Sequence, residues 1–363
     1  MMLITNLDTP TLLLDYQKLM TNISEIASFA KEHNLAYRPH IKTHKSIDIA
    51  KLQLQAGAVG ITTATIPEAE AMAAGGIKDI LIAHPISSAQ KIKRLINLLG
   101  MGVKLKVIVD SKEQLAYLQK ELEHTPFTLG VWIKINSGLN RCGVEPGKGA
   151  LVLAKKIMMH TKLKLGGILT HAGHSYAASS SDQIEKIGLQ EGQAVVESAE
   201  ECEKAGIPIP VRSVGSTPTY KISGKVPGIT EIRPGNAVFF DAIQVGLGVT
   251  TMENCALTVL ASVVGVHPDR IVFDTGSKTL CLDKGAHGNE SVKGFGHVVG
   301  HPEITIERLS EEHGVGVVAG KSPLKLNDKV QIIPNHACTV ANMFEEYVVH
   351  EGGVIKDAWK VEG

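Results

Sequence analysis

The densest group of reactive side chains lies at residues 35–45, LAYRPHIKTHK, where an apolar lead runs into Arg38, His40, Lys42, His44 and Lys45. A lysine at the C-terminal lip of a barrel strand is partly desolvated and close to other cations, so its ammonium is destabilised and the neutral amine that forms a Schiff base becomes accessible. The plainer alternative is a strand that runs out into a solvated basic turn. Residues 135–143, INSGLNRCG, present Arg141 from a glycine-bearing turn, where a planar fork of donors could meet a ligand oxygen, or where a surface arginine simply faces water. Residues 170–176, THAGHSY, supply His171 and His174, and Tyr176 as a candidate cofactor contact. Either histidine could serve as a base, and either could equally be a satisfied core histidine.

Two further segments suggest an anion. VGSTPT at 214–219 offers Ser216 and Thr217, and EIRPGN at 231–236 offers Arg233, Gly235 and Asn236. Small and hydroxyl residues after the last two strands of a barrel commonly hold a phosphate through backbone N–H groups. A lysine at the first strand and a phosphate cradle at the last two imply a phosphorylated aldehyde, pyridoxal 5′-phosphate (PLP). PNHAC at 334–338 places His336 and Cys338 two residues apart. On an extended segment they would point the same way and reach one borderline-soft cation such as zinc, the remaining positions going to water or substrate. The alternative is a buried cysteine beside a structural histidine. The segments 273–285 (FDTGSKTLCLDKG) and 310–314 (SEEHG) are polar and turn-forming, suited to a substrate mouth or a subunit interface.

These residues need a scaffold that brings many strand ends together. Apolar runs read as strands near 36–42, 58–64, 79–83, 104–109, 130–135, 165–170, 211–214 and 229–232. Between most of them lie helical patterns at 46–55, 67–74, 89–99, 112–121, 147–159 and 183–204, with a further helix at 16–33. Eight strands alternating with helices predict a (β/α)8 TIM-type barrel at 16–244. After about Val245 short β-branched runs alternate with turn residues and no convincing helix, which predicts a C-terminal β-domain at 245–363, with residues 1–15 adding an N-terminal strand to it.

Across the 363 residues, Lys+Arg and Asp+Glu are both 37, so net charge gives no argument for nucleic acid or a membrane surface, and a small-molecule substrate is expected. The N-terminus lacks a basic segment followed by an apolar run, which predicts a cytoplasmic protein. Five scattered cysteines without a CxxC pair argue against a disulfide framework and a cysteine-based zinc finger.

Taken together, TPTLLLD, RPHIKTHK, GSTPT, TEIRPGN, FDTGSK, SEEHG and PNHAC resemble, in order and over nearly the whole chain, the fold-type III PLP enzymes that include D-threonine aldolases and metal-dependent D-serine dehydratases. These have an alanine racemase-like barrel followed by a β-domain. The resemblance implies Lys42 as the Schiff-base lysine, with Lys45 as the fallback. It implies Arg141 at the phenolic oxygen of PLP, and Ser216, Thr217, Gly235 and Asn236 at the phosphate, with Arg233 at the pyridine nitrogen. His336 and Cys338 resemble the metal ligands, Zn²⁺ first, with Mn²⁺ or Mg²⁺ as alternatives. His-x-Cys matches the dehydratases, whereas the aldolases tend to carry His-x-Asp. Asn136 and Ala237 depart from the Asp and Tyr common in the family.

The expected activity is a PLP- and metal-dependent lyase on D-3-hydroxy amino acids. Dehydration of D-serine or D-threonine to a 2-oxoacid is the main reading, and aldol cleavage with His171 or His174 as base is the runner-up. An amino-acid racemase, which has no use for a metal, comes third. A PLP-binding homeostasis protein lacks the β-domain, and a plain metabolite-binding barrel would bind no PLP. By analogy a homodimer is expected.

Overall fold

The computed structural model describes residues 2–284, 292–320, 322 and 324–362, so Gly285 of the 273–285 segment lies outside the described residues. The chain divides into two units, one of residues 1–25, 176–181 and 236–362, the other of residues 26–175 and 182–235. It begins with strand β1 (Thr11–Asp15) and helix α1 (Tyr16–Glu32).

The second unit is the barrel. Its strands are β2 (Ala36–Tyr37), β3 (Ile61–Thr63), β4 (Asp79–Ile82), β5 (Lys104–Val109), β6 (Leu129–Lys134), β7 (Leu163–Leu169), β8 (Arg212–Val214) and β9 (Glu231–Ile232), all parallel in the order β2-β9-β8-β7-β6-β5-β4-β3. The parallel bridge between His40 and Thr62 joins the two ends of that order. Strands such as DILI and VWIK are buried on both faces, which is why they read as continuous apolar runs rather than alternating ones. The helices between them are α2 (Ile47–Gln55), α3 (Ile66–Ala74), α4 (Ala89–Gly100), α5 (Lys112–Leu122), α6 (Lys148–Ile157), α7 (Ser181–Lys204) and α8 (Tyr220–Ser223). Helices α3, α4 and α5 start on a side-chain cap: the hydroxyls of Thr65, Ser88 and Ser111 accept from the N–H groups of Glu68, Lys91 and Gln114 at 3.3 Å each.

The first barrel strand is much shorter than the 36–42 expected from its apolar pattern. Proline at 39 has no N–H to donate, and beyond it residues 41–43 close a 3-10 turn, so Lys42 sits one turn past the strand.

In the other unit nine strands form one mainly antiparallel sheet. To β1 are added β10 (Leu257–Val266), β11 (Arg270–Phe273), β12 (His297–Val298), β13 (Ile304–Leu309), β14 (Gly314–Val318), β15 (Lys329–Ile333), β16 (Glu346–Glu351) and β17 (Val354–Lys360). Their order is β11-β14-β13-β12-β15-β10-β1-β16-β17, and a further β10–β11 pairing closes six of them into a barrel. Strand β1 runs antiparallel to β10 and parallel to β16. This unit is not free of helices as its sequence suggests: α9 (Ala242–Gly246), α10 (Ser277–Leu280) and α11 (Ala337–Ala341) are single turns, too short to leave a periodic pattern. Among the described residues no helix is long and apolar enough to cross a membrane.

Candidate active site

Within the barrel the turn after β2 carries Lys42, whose backbone N–H donates to His40 Nδ1 at 3.4 Å. Among the described residues its ammonium forms no hydrogen bond or ion pair. Lys45, on the same turn at φ +48°, instead has its ammonium 4.0 Å from the buried carboxylate of Glu68. Gly235 lets the loop after β9 approach this turn: a Cβ there would lie 3.0 Å from the His40 carbonyl and 3.2 Å from Thr43 Oγ1.

The loops after β7 and β8 are tied to each other. Glu191, fully buried on α7, accepts from the N–H groups of Ala172 (3.0 Å) and Gly215 (3.2 Å) and from Thr219 Oγ1 (2.6 Å). Ser216 Oγ bridges Ser175 Oγ at 3.1 Å and Thr219 Oγ1 at 2.8 Å, and Ser216 and Thr217 are both buried. His171 Nδ1 lies 3.0 Å from the Gly215 carbonyl, so Nδ1 carries the hydrogen and Nε2 is left as an acceptor. Burial, and then the charges of Lys42 and Lys134, hold its pKa well below the usual histidine value. Burial also lowers His174, whose Nδ1 is buried without a partner among the described residues. Arg233 is buried, with one terminal nitrogen on Ser213 Oγ and the other on the Thr170 carbonyl.

Lys134, the last residue of β6, was not singled out in the sequence. It is 4% exposed, and burial followed by the charge of Arg233 lowers it to about 7. The available signal was one lysine ending an otherwise apolar buried strand. Burial, and then the charges of Lys42, His171, Arg233 and Arg141, likewise keep His40 neutral. The group as a whole therefore has the electrostatics of an anion site, with Lys42, Lys134, Arg141 and Arg233 acting on histidines that cannot share the charge. That donor set, with an unpaired lysine in its midst, fits a phosphorylated aldehyde.

In the other unit the PNHAC segment is not extended. His336 is the N-cap of α11 and Cys338 lies in its first turn, because the buried carboxylate of Asp241 accepts the Ala337 N–H at 2.9 Å and draws the chain into a helical start. The two side chains still meet. Burial works against a charge on His336, but the Cys338 thiolate and the bonds to Asp283 and Cys338 raise it to about 11. Asp283 Oδ2 accepts from His336 Nδ1 at 3.0 Å, so a metal would bind at Nε2 in place of the proton that nitrogen carries in the metal-free chain. An imidazole so oriented beside a thiolate is a donor pair suited to zinc or a similar cation. Among the described residues no third His, Cys, Asp or Glu completes a metal cluster. Tyr176 also belongs to this unit, as does Asn236, whose side chain donates to Asp241 Oδ2 at 2.6 Å and approaches Cys338 Sγ at 3.8 Å. Any phosphate contact from Asn236 would therefore come from its backbone.

The model of the alanine racemase N-terminal domain family matches residues 14–242. The chain belongs to this family. A second family model, for a serine dehydratase domain, matches residues 256–350. Within the family the chain is 33% identical to D-threo-3-hydroxyaspartate dehydratase of Delftia sp. (strain HT23), covering 94% of this chain and 93% of that protein. The solved structure of that dehydratase matches at a TM-score of 0.93 with 31% identity over 100% of both chains. A cysteine-to-alanine variant of it has been solved in a metal-free form. The chain is also 31% identical to 3-hydroxy-D-aspartate aldolase of Paracoccus denitrificans (strain Pd 1222), covering 98% of this chain and 92% of the relative. To D-serine dehydratase of Dictyostelium discoideum it is 29% identical, covering 98% and 97%. PLP is the cofactor expected of the family.

Proposed function

We propose that this chain is a PLP- and divalent-metal-dependent lyase of D-3-hydroxy amino acids, acting as a dehydratase that releases ammonia and a 2-oxoacid. The observation that carries the reading is a His-x-Cys pair whose histidine is aligned by a carboxylate, in a chain whose barrel presents an unpaired lysine among arginines. The names of the dehydratase relatives support it. When bound, PLP supplies the electron sink for a carbanion at Cα and the metal supplies Lewis acidity at the β-oxygen.

The chain's own residues would do the rest. Lys42 would hold the aldehyde carbon of PLP through Nζ, and Nζ would be the group that takes the Cα proton of the substrate. Ser216, Thr217 and the backbone at Gly235 receive the phosphate. Arg233, held by Ser213 and the Thr170 carbonyl, would meet the ring nitrogen as a fixed cation, and Arg141 would meet the phenolic oxygen. His336 and Cys338 hold the metal, with Zn²⁺ preferred because one ligand is a thiolate. The reading includes a cytoplasmic homodimer with no nucleic-acid or membrane partner.

Aldol cleavage is the second reading, favoured by His171, whose Nε2 is an unprotonated acceptor able to take the proton of a β-hydroxyl. The test is to incubate the chain with PLP and Zn²⁺ or Mn²⁺, offer D-serine, D-threonine and D-threo-3-hydroxyaspartate separately, and quantify oxoacids, glycine and aldehydes with an EDTA control. Oxoacids lost on chelation are expected. Glycine with an aldehyde would replace dehydration by aldol cleavage. Alanine racemisation unaffected by EDTA or by His336→Ala would sink both.

A further inference from the structure

We propose that Asp283 and Asp241 position the metal pair, one carboxylate behind each ligand. The inference deepens the functional reading and rests on its assignment of His336 and Cys338 to a divalent metal. Asp283 accepts from His336 Nδ1 at 3.0 Å, which fixes both the ring's orientation and its tautomer and aims Nε2 away from the carboxylate. Asp283 is itself held in place. Asn335, 2% exposed, donates to the Asp283 carbonyl at 3.2 Å and to the Gly294 carbonyl at 2.9 Å, and accepts from the Gly296 N–H at 2.9 Å. The residue adjacent to His336 thus anchors the backbone of the residue whose carboxylate orients it.

Asp241 acts on the other ligand. It is 1% exposed, and its Oδ2 accepts from the Ala337 N–H at 2.9 Å and from Asn236 Nδ2 at 2.6 Å, while Oδ1 accepts from the Gln244 N–H at 3.0 Å. The Ala337 bond shapes the turn between the two ligands. The Asn236 bond leaves one amide hydrogen of Nδ2 to face Cys338 Sγ, 3.8 Å away. An amide at 241 keeps one acceptor oxygen, so its NH₂ would oppose either the Ala337 and Asn236 donors or the Gln244 N–H, and the carboxylate's hold on the turn is lost in part.

The experiment uses the full chain loaded with PLP and stripped of metal. Zn²⁺ affinity is measured by competition with a chromophoric chelator, and Co²⁺ loading reads the thiolate-to-metal absorption band. Asp283→Asn should weaken Zn²⁺ binding by about 10–100-fold while the metal-free protein still folds and melts cooperatively. Asp241→Asn should weaken Zn²⁺ and shift the Co²⁺ band. If that variant does not fold, Asn236→Ala must shift the band instead. Parent-like Zn²⁺ affinity in the aspartate variants, with binding lost in His336→Ala and Cys338→Ala, overturns the proposal and leaves the metal reading standing. A loss in Asp283→Asn as large as in His336→Ala overturns it by making Asp283 a direct ligand. Parent-like affinity in His336→Ala and Cys338→Ala means that the metal reading itself has failed.

Discussion

Lys42 and Lys45 stand on one turn, yet their surroundings suit them to different work. The ammonium of Lys45 faces the Glu68 carboxylate at 4.0 Å, whereas that of Lys42 has no carboxylate partner among the described residues. Lys42→Ala should therefore abolish the visible absorbance of bound PLP and bring turnover to background, and Lys45→Ala should keep the absorbance; the reverse pattern in a spectrophotometric titration would exchange their roles. Lys134 allows a prediction about pH. In the cofactor-free chain its pKa is about 7, through burial and then Arg233. From there up to the ordinary lysine value the unfolded chain binds a proton that the folded chain lacks. Stability thus rises with pH across that window by up to about 1.4 kcal/mol per pH unit, and below it the penalty is constant. Lys134→Met should be more stable than the parent at neutral pH and should flatten that rise, as urea unfolding on both sides of neutrality would show. The side chains that came forward from the sequence were those in conspicuous motifs. Lys134, Glu191 and Asp241 did not, and Asp283 did so only as an unassigned member of the 273–285 segment, because each acts on partners far away in the chain, Asp241 on Ala337 and Glu191 on Gly215.

The elements that position these residues follow short-range rules, and most of them were readable. Helix α3 begins where Thr65 can cap it and Pro67 needs no N–H partner, and Thr65→Ala should cost about 1 kcal/mol of unfolding free energy. The segments at 273–285 and 310–314 turn out to be mutual partners: Ser277 and Lys278 donate their N–H groups to the carbonyls of Ser310 and Glu311 at 2.8 and 3.2 Å. Gly276 makes that approach possible, since a Cβ there would lie 2.3 Å from the Ser310 carbonyl and 2.4 Å from that of Glu311. Gly276→Ala should destabilise the chain by about 1–3 kcal/mol, the range for overpacking, and a melting temperature equal to the parent's would count against this docking. Where element boundaries were misread, a competing local rule won. Proline at 39 ended β2 early, and a carboxylate from residue 241 turned the PNHAC segment into a helix start.

At the scale of the molecule the decisive feature is that β1, at the very start of the chain, fills the place between β10 and β16. Leu12, Leu13 and Leu14 are essentially buried there. Removing the first 15 residues should expose two strand edges and an apolar face, so the truncated chain is expected in the insoluble fraction, and a soluble truncated chain with parent-like circular dichroism would refute this. Sedimentation at twice the chain mass would support the proposed homodimer. The sequence alone was enough for the eight-strand alternation, the change of texture after the barrel, the lysine turn and the His-x-Cys pair. All of these depend on residue types spaced by the period of a helix or a strand, or confined to a few consecutive positions. Only the folded chain could reveal that β11 pairs with β14 and β10 with β15 to close a second barrel, that Lys134 is stripped of water beside Arg233, and that Asp283 and Asp241 stand behind His336 and Cys338. Those relations join residues tens to hundreds of positions apart through burial and hydrogen bonding, and neither leaves a period in the chain.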